Sequence, residues 1–139
     1  MAHPSDGRLH VGELTGPDHQ RTGEGLALDP AGFTTHGVIV GMTGSGKTGL
    51  AVGLIEEALL QGVPVLAIDP KGDLGNLALT FPDLAPESFA PWVDGADPAV
   101  VATSWREGLA GWGLDGTDIQ ALRDAAPVTI YTPGSSAGV

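Results

Sequence analysis

The stretch Gly41-Met42-Thr43-Gly44-Ser45-Gly46-Lys47-Thr48 constrains this chain more than any other, because it satisfies G-x-x-x-x-G-K-[ST] in full. A phosphate group needs several N–H donors converging from one side. Closely spaced glycines let a backbone curl tightly enough to supply them. A lysine after the last glycine adds a mobile positive charge for the β- and γ-phosphates of a nucleotide, and the hydroxyl that follows can ligate Mg²⁺. The loop must also open a helix, so that the positive end of the helix dipole faces the anion. The candidate phosphate-binding residues are therefore Gly41, Met42, Thr43, Gly44, Ser45, Gly46, Lys47, Thr48 and Gly49, with Thr48 the candidate metal ligand.

The flanks fit that reading. Upstream, Gly37-Val38-Ile39-Val40 is a short β-branched run of the kind that forms a strand buried on both faces. Downstream, Leu50, Leu54, Ile55, Ala58 and Leu59 recur at helical spacing, with Glu56 and Glu57 assigned to the opposite, solvent-facing side. Gly62 follows where a left-handed cap is expected. A second apolar run, Val63-Pro64-Val65-Leu66-Ala67-Ile68, leads directly into Asp69-Pro70-Lys71-Gly72-Asp73. Strand, crossover helix and strand of this length imply parallel pairing with a right-handed connection. Ligands of such sheets gather beyond the carboxyl ends of the strands, which puts Asp69 on the rim with the phosphate loop. Asp69 is thus a candidate for orienting the water shell of Mg²⁺, weighed evenly against a role capping its own turn.

The remainder is organised around these elements. Residues 1–33 read as a loop-rich segment compatible with a small β-hairpin, and residues 34–139 as part of an α/β domain. Residues 76–95 carry Pro82, Pro86 and Pro91 and read as an irregular loop holding at most a short helix. Its aromatics Phe81, Phe89 and Trp92 are expected to cover one end of the sheet. Asp97-Pro98 caps a helix whose face is Val100, Val101, Ser104, Trp105, Gly108 and Leu109. Thr117-Asp118-Ile119-Gln120 reads as a capping box for another, and Val128-Thr129-Ile130-Tyr131 as a third strand. The tail after it, residues 132–139, reads as flexible or as the beginning of a further element.

Composition narrows the function classes. A hydrophobic fraction of 42% over 139 residues allows one core and excludes wholesale disorder. With no cysteine there is no disulfide, thiolate metal site or cysteine nucleophile, which suits a reducing cytoplasm. No run approaches the ~18 apolar residues needed to cross a bilayer, so no membrane association is expected. The formal charge of −11, from 17 acids against 6 bases, leaves few cations to displace the counterions of nucleic acid.

Residues 35–48, taken with Ile68-Asp69-Pro70-Lys71-Gly72-Asp73, resemble the HerA/FtsK-type P-loop ATPases, RecA-like motors that include DNA translocases and the ATPases of conjugative secretion. Their loops often read Met/Lys-Thr-Gly-Ser-Gly-Lys-[ST], and an Asp-Pro-x-Gly-[Asp/Glu] turn follows the next strand. The pair is far more specific than the loop alone, and it covers residues 34–79. The resemblance implies a RecA-like parallel sheet flanked by helices, ATP and Mg²⁺ as ligands, a hexameric ring of identical subunits, and DNA or another polymer in its pore. It also implies a catalytic glutamate and arginine fingers on later elements. The chain shows no strand ending in Asp-Glu after Tyr131, so no catalytic residue is assigned. These residues are accordingly expected to be the front part of a longer ATPase, with negligible turnover and poor DNA binding alone. Two other readings stay open: a nucleotide-gated binding module without motor action, and a P-loop phosphotransferase.

Overall fold

The computed structural model describes residues 6–135, which divide into two compact units, 6–74 and 75–135. The end of the expected tail, residues 136–139, lies outside the described residues.

In the first unit, β1 (Leu9–Thr15) and β2 (Arg21–Leu28) form a two-stranded antiparallel sheet. The register pairs Leu9 with Leu28 and Thr15 with Arg21, with irregularities between His10 and Gly12 and between Glu13 and Thr15. Arg21 adds a cross-strand ion pair to Glu13 at 3.2 Å. A 3₁₀ turn, Pro30–Phe33, follows; the Asp29 carboxylate accepts the Ala31 N–H at 2.9 Å. Next comes α1 (Lys47–Leu60). Gly62, at φ +76°, ends it as expected. There the Val63 N–H reaches back to the Ala58 carbonyl and the Gly62 N–H to Leu59, satisfying carbonyls the helix would leave bare.

The glutamates of α1 depart from expectation. Glu57 is buried, and its carboxylate accepts the backbone N–H of His10 at 2.7 Å. A helical pattern marks Glu57 as polar, but β1 passes over that face and brings an amide that needs an acceptor. Burial pushes the neighbouring Glu56 carboxyl above the ordinary range, and the charge on Glu57 adds to it. A group raised in this way favours the fold at low pH, and that contribution is lost as pH rises through its raised value. Glu56→Gln is therefore expected to raise the melting temperature at pH 7, with the gain vanishing below the usual carboxylate range; thermal melts at both pH values check it.

The parallel sheet expected from residues 37–40, 63–68 and 128–131 is not present among the described residues, where the one sheet is the β1–β2 hairpin. Val38 and Val40 are 77% and 83% exposed, and Leu66 and Ile68 are each 87% exposed. Local sequence makes a segment competent to be a strand, but only hydrogen-bonded neighbours make it one. These runs have no such ladder here.

The second unit is helical. A 3₁₀ turn at Gly75–Ala78 precedes α2 (Pro86–Phe89), a further 3₁₀ turn at Ala90–Trp92, α3 (Pro98–Ala110) and α4 (Gly116–Ala125). Its core joins Leu84, Phe89 and Ala102, with Phe81, Val93, Val101, Leu109 and Ile119 packed around them. Phe81 meets Phe89 edge-on, with ring centroids 4.9 Å apart. The aromatics thus build a helical core instead of covering the end of a sheet. Trp92 is 60% exposed and outside it. Asp97 caps α3 as expected, accepting the Ala99 N–H at 2.9 Å behind Pro98. The cap of α4 differs. Its capping box pairs Asp115 with Asp118, so Thr117 lies inside the helix and donates its N–H to the Asp115 carboxylate at 2.7 Å. An aspartate placed three residues before an acid fulfils the box two positions earlier than the threonine.

Candidate phosphate-binding site

The loop of residues 41–46 turns sharply enough to need its glycines at two points. Gly44 and Gly46 lie at φ +78° and +84°, a region that a side chain disfavours. A third glycine is fixed by space. A Cβ on Gly41 would collide with the Ser45 hydroxyl and come within 3.4 Å of Lys47 Cγ. The Ser45 N–H closes the turn on the Met42 carbonyl at 3.2 Å.

Gly46 is the N-cap of α1, and no side chain caps the helix there. The first intrahelical bond runs from the Leu50 N–H to the Gly46 carbonyl at 2.9 Å. The N–H groups of Lys47, Thr48 and Gly49 therefore precede the ladder, and the helix dipole concentrates positive charge at the same place. Met42, Thr43, Gly44, Ser45 and Thr48 are exposed. Lys47 is half-buried, and its ammonium donates to the Met42 carbonyl, 2.5 Å away, folding the side chain back across the loop. The site offers amide donors, a cation and a hydroxyl around a gap made of glycine. That donor set suits a polyphosphate with its divalent ion.

Asp69 is placed differently. Its Oδ1 accepts the N–H groups of Lys71 at 3.2 Å and Gly72 at 2.9 Å, and its Oδ2 accepts that of Leu74 at 2.8 Å. Those bonds, the one from Leu74 foremost, hold the carboxyl below its ordinary range. The turn is therefore held by a charged carboxylate at any pH near neutrality. Gly72 lies at φ +81° within it, and Lys71 faces Asp73 at 3.8 Å. Among the described residues no hydrogen bond or ion pair joins this turn to the phosphate loop; both lie in the first unit. Leu74 is a partner of Asp69 that the residue pattern alone does not single out. The signal for the turn itself was the spacing of an aspartate followed by a proline and a glycine, which lets one carboxylate collect successive amides.

Thr48, exposed in the first turn of α1, is the metal-ligating candidate carried by the glycine loop itself. Among the described residues no group of three His, Asp or Glu side chains could hold an ion unaided. A hydroxyl sharing its metal with phosphate oxygens is compatible with that. No helix among the described residues is long and apolar enough to cross a membrane.

Two comparisons bear on these observations. The family model described as helicase HerA, central domain, matches residues 9–104. Over 62 residues, the chain is 42% identical to the type 4 coupling protein DotL of Legionella pneumophila (strain Philadelphia 1); this covers 45% of the chain. The matched region spans only 8% of that protein's length. No solved structure matches the chain. The family match runs through hairpin, phosphate loop, α1 and the Asp69 turn into α3. On that match, this chain belongs to the family of the helicase HerA central domain, a family of P-loop ATPases.

Proposed function

We propose that the loop of residues 41–49 binds ATP with Mg²⁺, and that the whole protein hydrolyses ATP to move DNA or another polymer. The single observation carrying this is the glycine-shaped loop that delivers the amides of Lys47, Thr48 and Gly49 and the Lys47 ammonium to one place. Family membership and the partial likeness to a type 4 coupling protein support the translocation reading. In that reading identical subunits form a cytoplasmic hexameric ring, and residues 37–40, 63–68 and 128–131 are strands of a RecA-like parallel sheet within a domain of residues 34–139. Residues 1–33 precede that domain, and any DNA contacts are supplied by other regions.

The chain's own residues have defined tasks. The Lys47 ammonium exchanges the Met42 carbonyl for phosphate oxygens, a stronger charge-assisted contact. The amides of α1's first turn hold the phosphates in register, and the Thr48 hydroxyl holds the metal. When bound, Mg²⁺ neutralises phosphate charge. In this reading Asp69, whose carboxylate holds its own turn through the amides of Lys71, Gly72 and Leu74, would also orient a water bound to the metal. No residue of this chain is assigned to the hydrolytic step.

Calorimetric titration of the chain with Mg·ATP and with AMP tests the reading. The phosphate loop acts on the terminal phosphates, so ATP binds and AMP does not; equal affinities would reject it. Asp69→Asn is expected to weaken Mg·ATP binding more than metal-free ATP binding, because it keeps shape and removes charge. Titrations with and without Mg²⁺ check this. An equal shift would leave Asp69 as the holder of its turn alone.

A further inference from the structure

All three tryptophans of the chain lie in the helical unit, and none is buried: Trp92, Trp105 and Trp112 are 60%, 56% and 58% exposed. An isolated exposed apolar residue is unremarkable, whereas three indoles in 21 residues are not. Trp105 and Trp112 line a groove of about 340 Å³ with Ser104, Gly108 and Leu109. These residues share one side of α3 and its end, at helical spacing i, i+1, i+4, i+5 and i+8. Trp105 is seated on Phe89, ring centroids 6.5 Å apart, so the groove wall is anchored to the core. At Gly108, one of the lining residues, an added Cβ would meet nothing within 4 Å.

Charge decides what fits. Residues 75–139 carry eight acids against two bases. Glu107 and Asp115 flank the groove in sequence and are exposed, while Asp94 and Asp97 lead into α3. Of the two bases, Arg106 turns inward and donates to the Leu84 carbonyl at 3.0 Å, and Arg123 lies near Asp83. Stacking of bases on the indoles would bring phosphates into this field, and an anionic lipid surface meets the same repulsion. A second copy of so acidic a unit is repelled likewise. We propose that this groove docks a basic, amphipathic helical segment of a protein partner, its apolar side on Trp105 and Trp112 and its lysines or arginines toward the acids. An amphipathic helix laying its apolar face into a hydrophobic groove is a recurrent recognition mode, and tryptophan is among the residues that carry most interface affinity.

The intrinsic fluorescence reports this site directly, because every tryptophan lies in this unit. The probes are a 14-residue Leu/Lys amphipathic peptide and its Leu/Glu counterpart. The Leu/Lys peptide is expected to shift the emission to the blue with micromolar affinity that weakens as salt rises; the Leu/Glu peptide leaves it unchanged. Gly108→Lys fills the groove and favours the helix, so it keeps the fold while weakening binding at least tenfold. Glu24→Gln, the same change of charge on β2, leaves affinity intact. Equal binding of both peptides, equal loss in the two variants, or no binding at all would overturn the proposal. So would self-association of the parent chain, abolished by Gly108→Lys in sedimentation, since a second copy would then be the occupant.

Discussion

Lys47→Ala is expected to weaken ATP binding roughly 10- to 150-fold while leaving the fold intact. A hydrogen bond made by a charged group contributes about 1.5–3 kcal/mol, and that range converts to this loss of affinity. In the free chain the ammonium makes one contact that matters, to the Met42 carbonyl on an exposed loop. Its removal creates no cavity, and alanine suits the first position of a helix. Titration with a fluorescent ATP analogue reads the affinity, and circular dichroism reads the fold. A folded variant of unchanged affinity would remove Lys47 from the phosphate site.

The largest effect on stability is expected at Gly116. Glycine to alanine at the start of a helix ordinarily stabilises by a few tenths to about 1 kcal/mol. Here the added Cβ would fall on the Pro82 carbonyl oxygen, with the carbonyl carbon 3.1 Å away. Both partners are backbone, so neither can swing aside. Gly116→Ala must push α4 away from the Pro82 backbone, and overpacking of this kind costs about 1–3 kcal/mol. Gly108→Ala provides the contrast, since its Cβ enters open space in mid-helix and should stabilise by about 0.5–1 kcal/mol. Urea unfolding of the two variants, followed through the tryptophans, should show midpoints moving in opposite directions.

What could be read from the sequence divides along a physical line. The glycine turn of residues 41–46, α1, its Gly62 cap and the Asp97-Pro98 start of α3 depend on neighbours within five residues, and each of these local structures stands where the pattern put it. The burial of Glu57 was hidden, because its partner amide is 47 residues away at His10. The aromatics misled for the same reason. Their spacing shows that Phe81 and Phe89 want cover, yet only the fold reveals that Ala102 of α3 supplies it. Residues 37–40, 63–68 and 128–131 keep the composition of buried strands without forming a ladder, since pairing is a property of neighbours and not of the segment. At the candidate site, the pattern anticipates a glycine-dependent turn ahead of α1 but not that Asp69 spends three acceptor positions on its own turn.

The bond from His10 to Glu57 makes a lever of α1. Glu57 lies ten residues along the helix from Lys47, about 15 Å at 1.5 Å per residue. The phosphate end and the hairpin end are thus two points on one stiff rod. A tilt imposed on the first turn of α1 by a ligand is therefore expected to reach β1 through this bond. The His10 amide proton is then a remote gauge of loop occupancy: its nuclear resonance should move when the loop fills, and should stop moving once Glu57 is replaced by alanine.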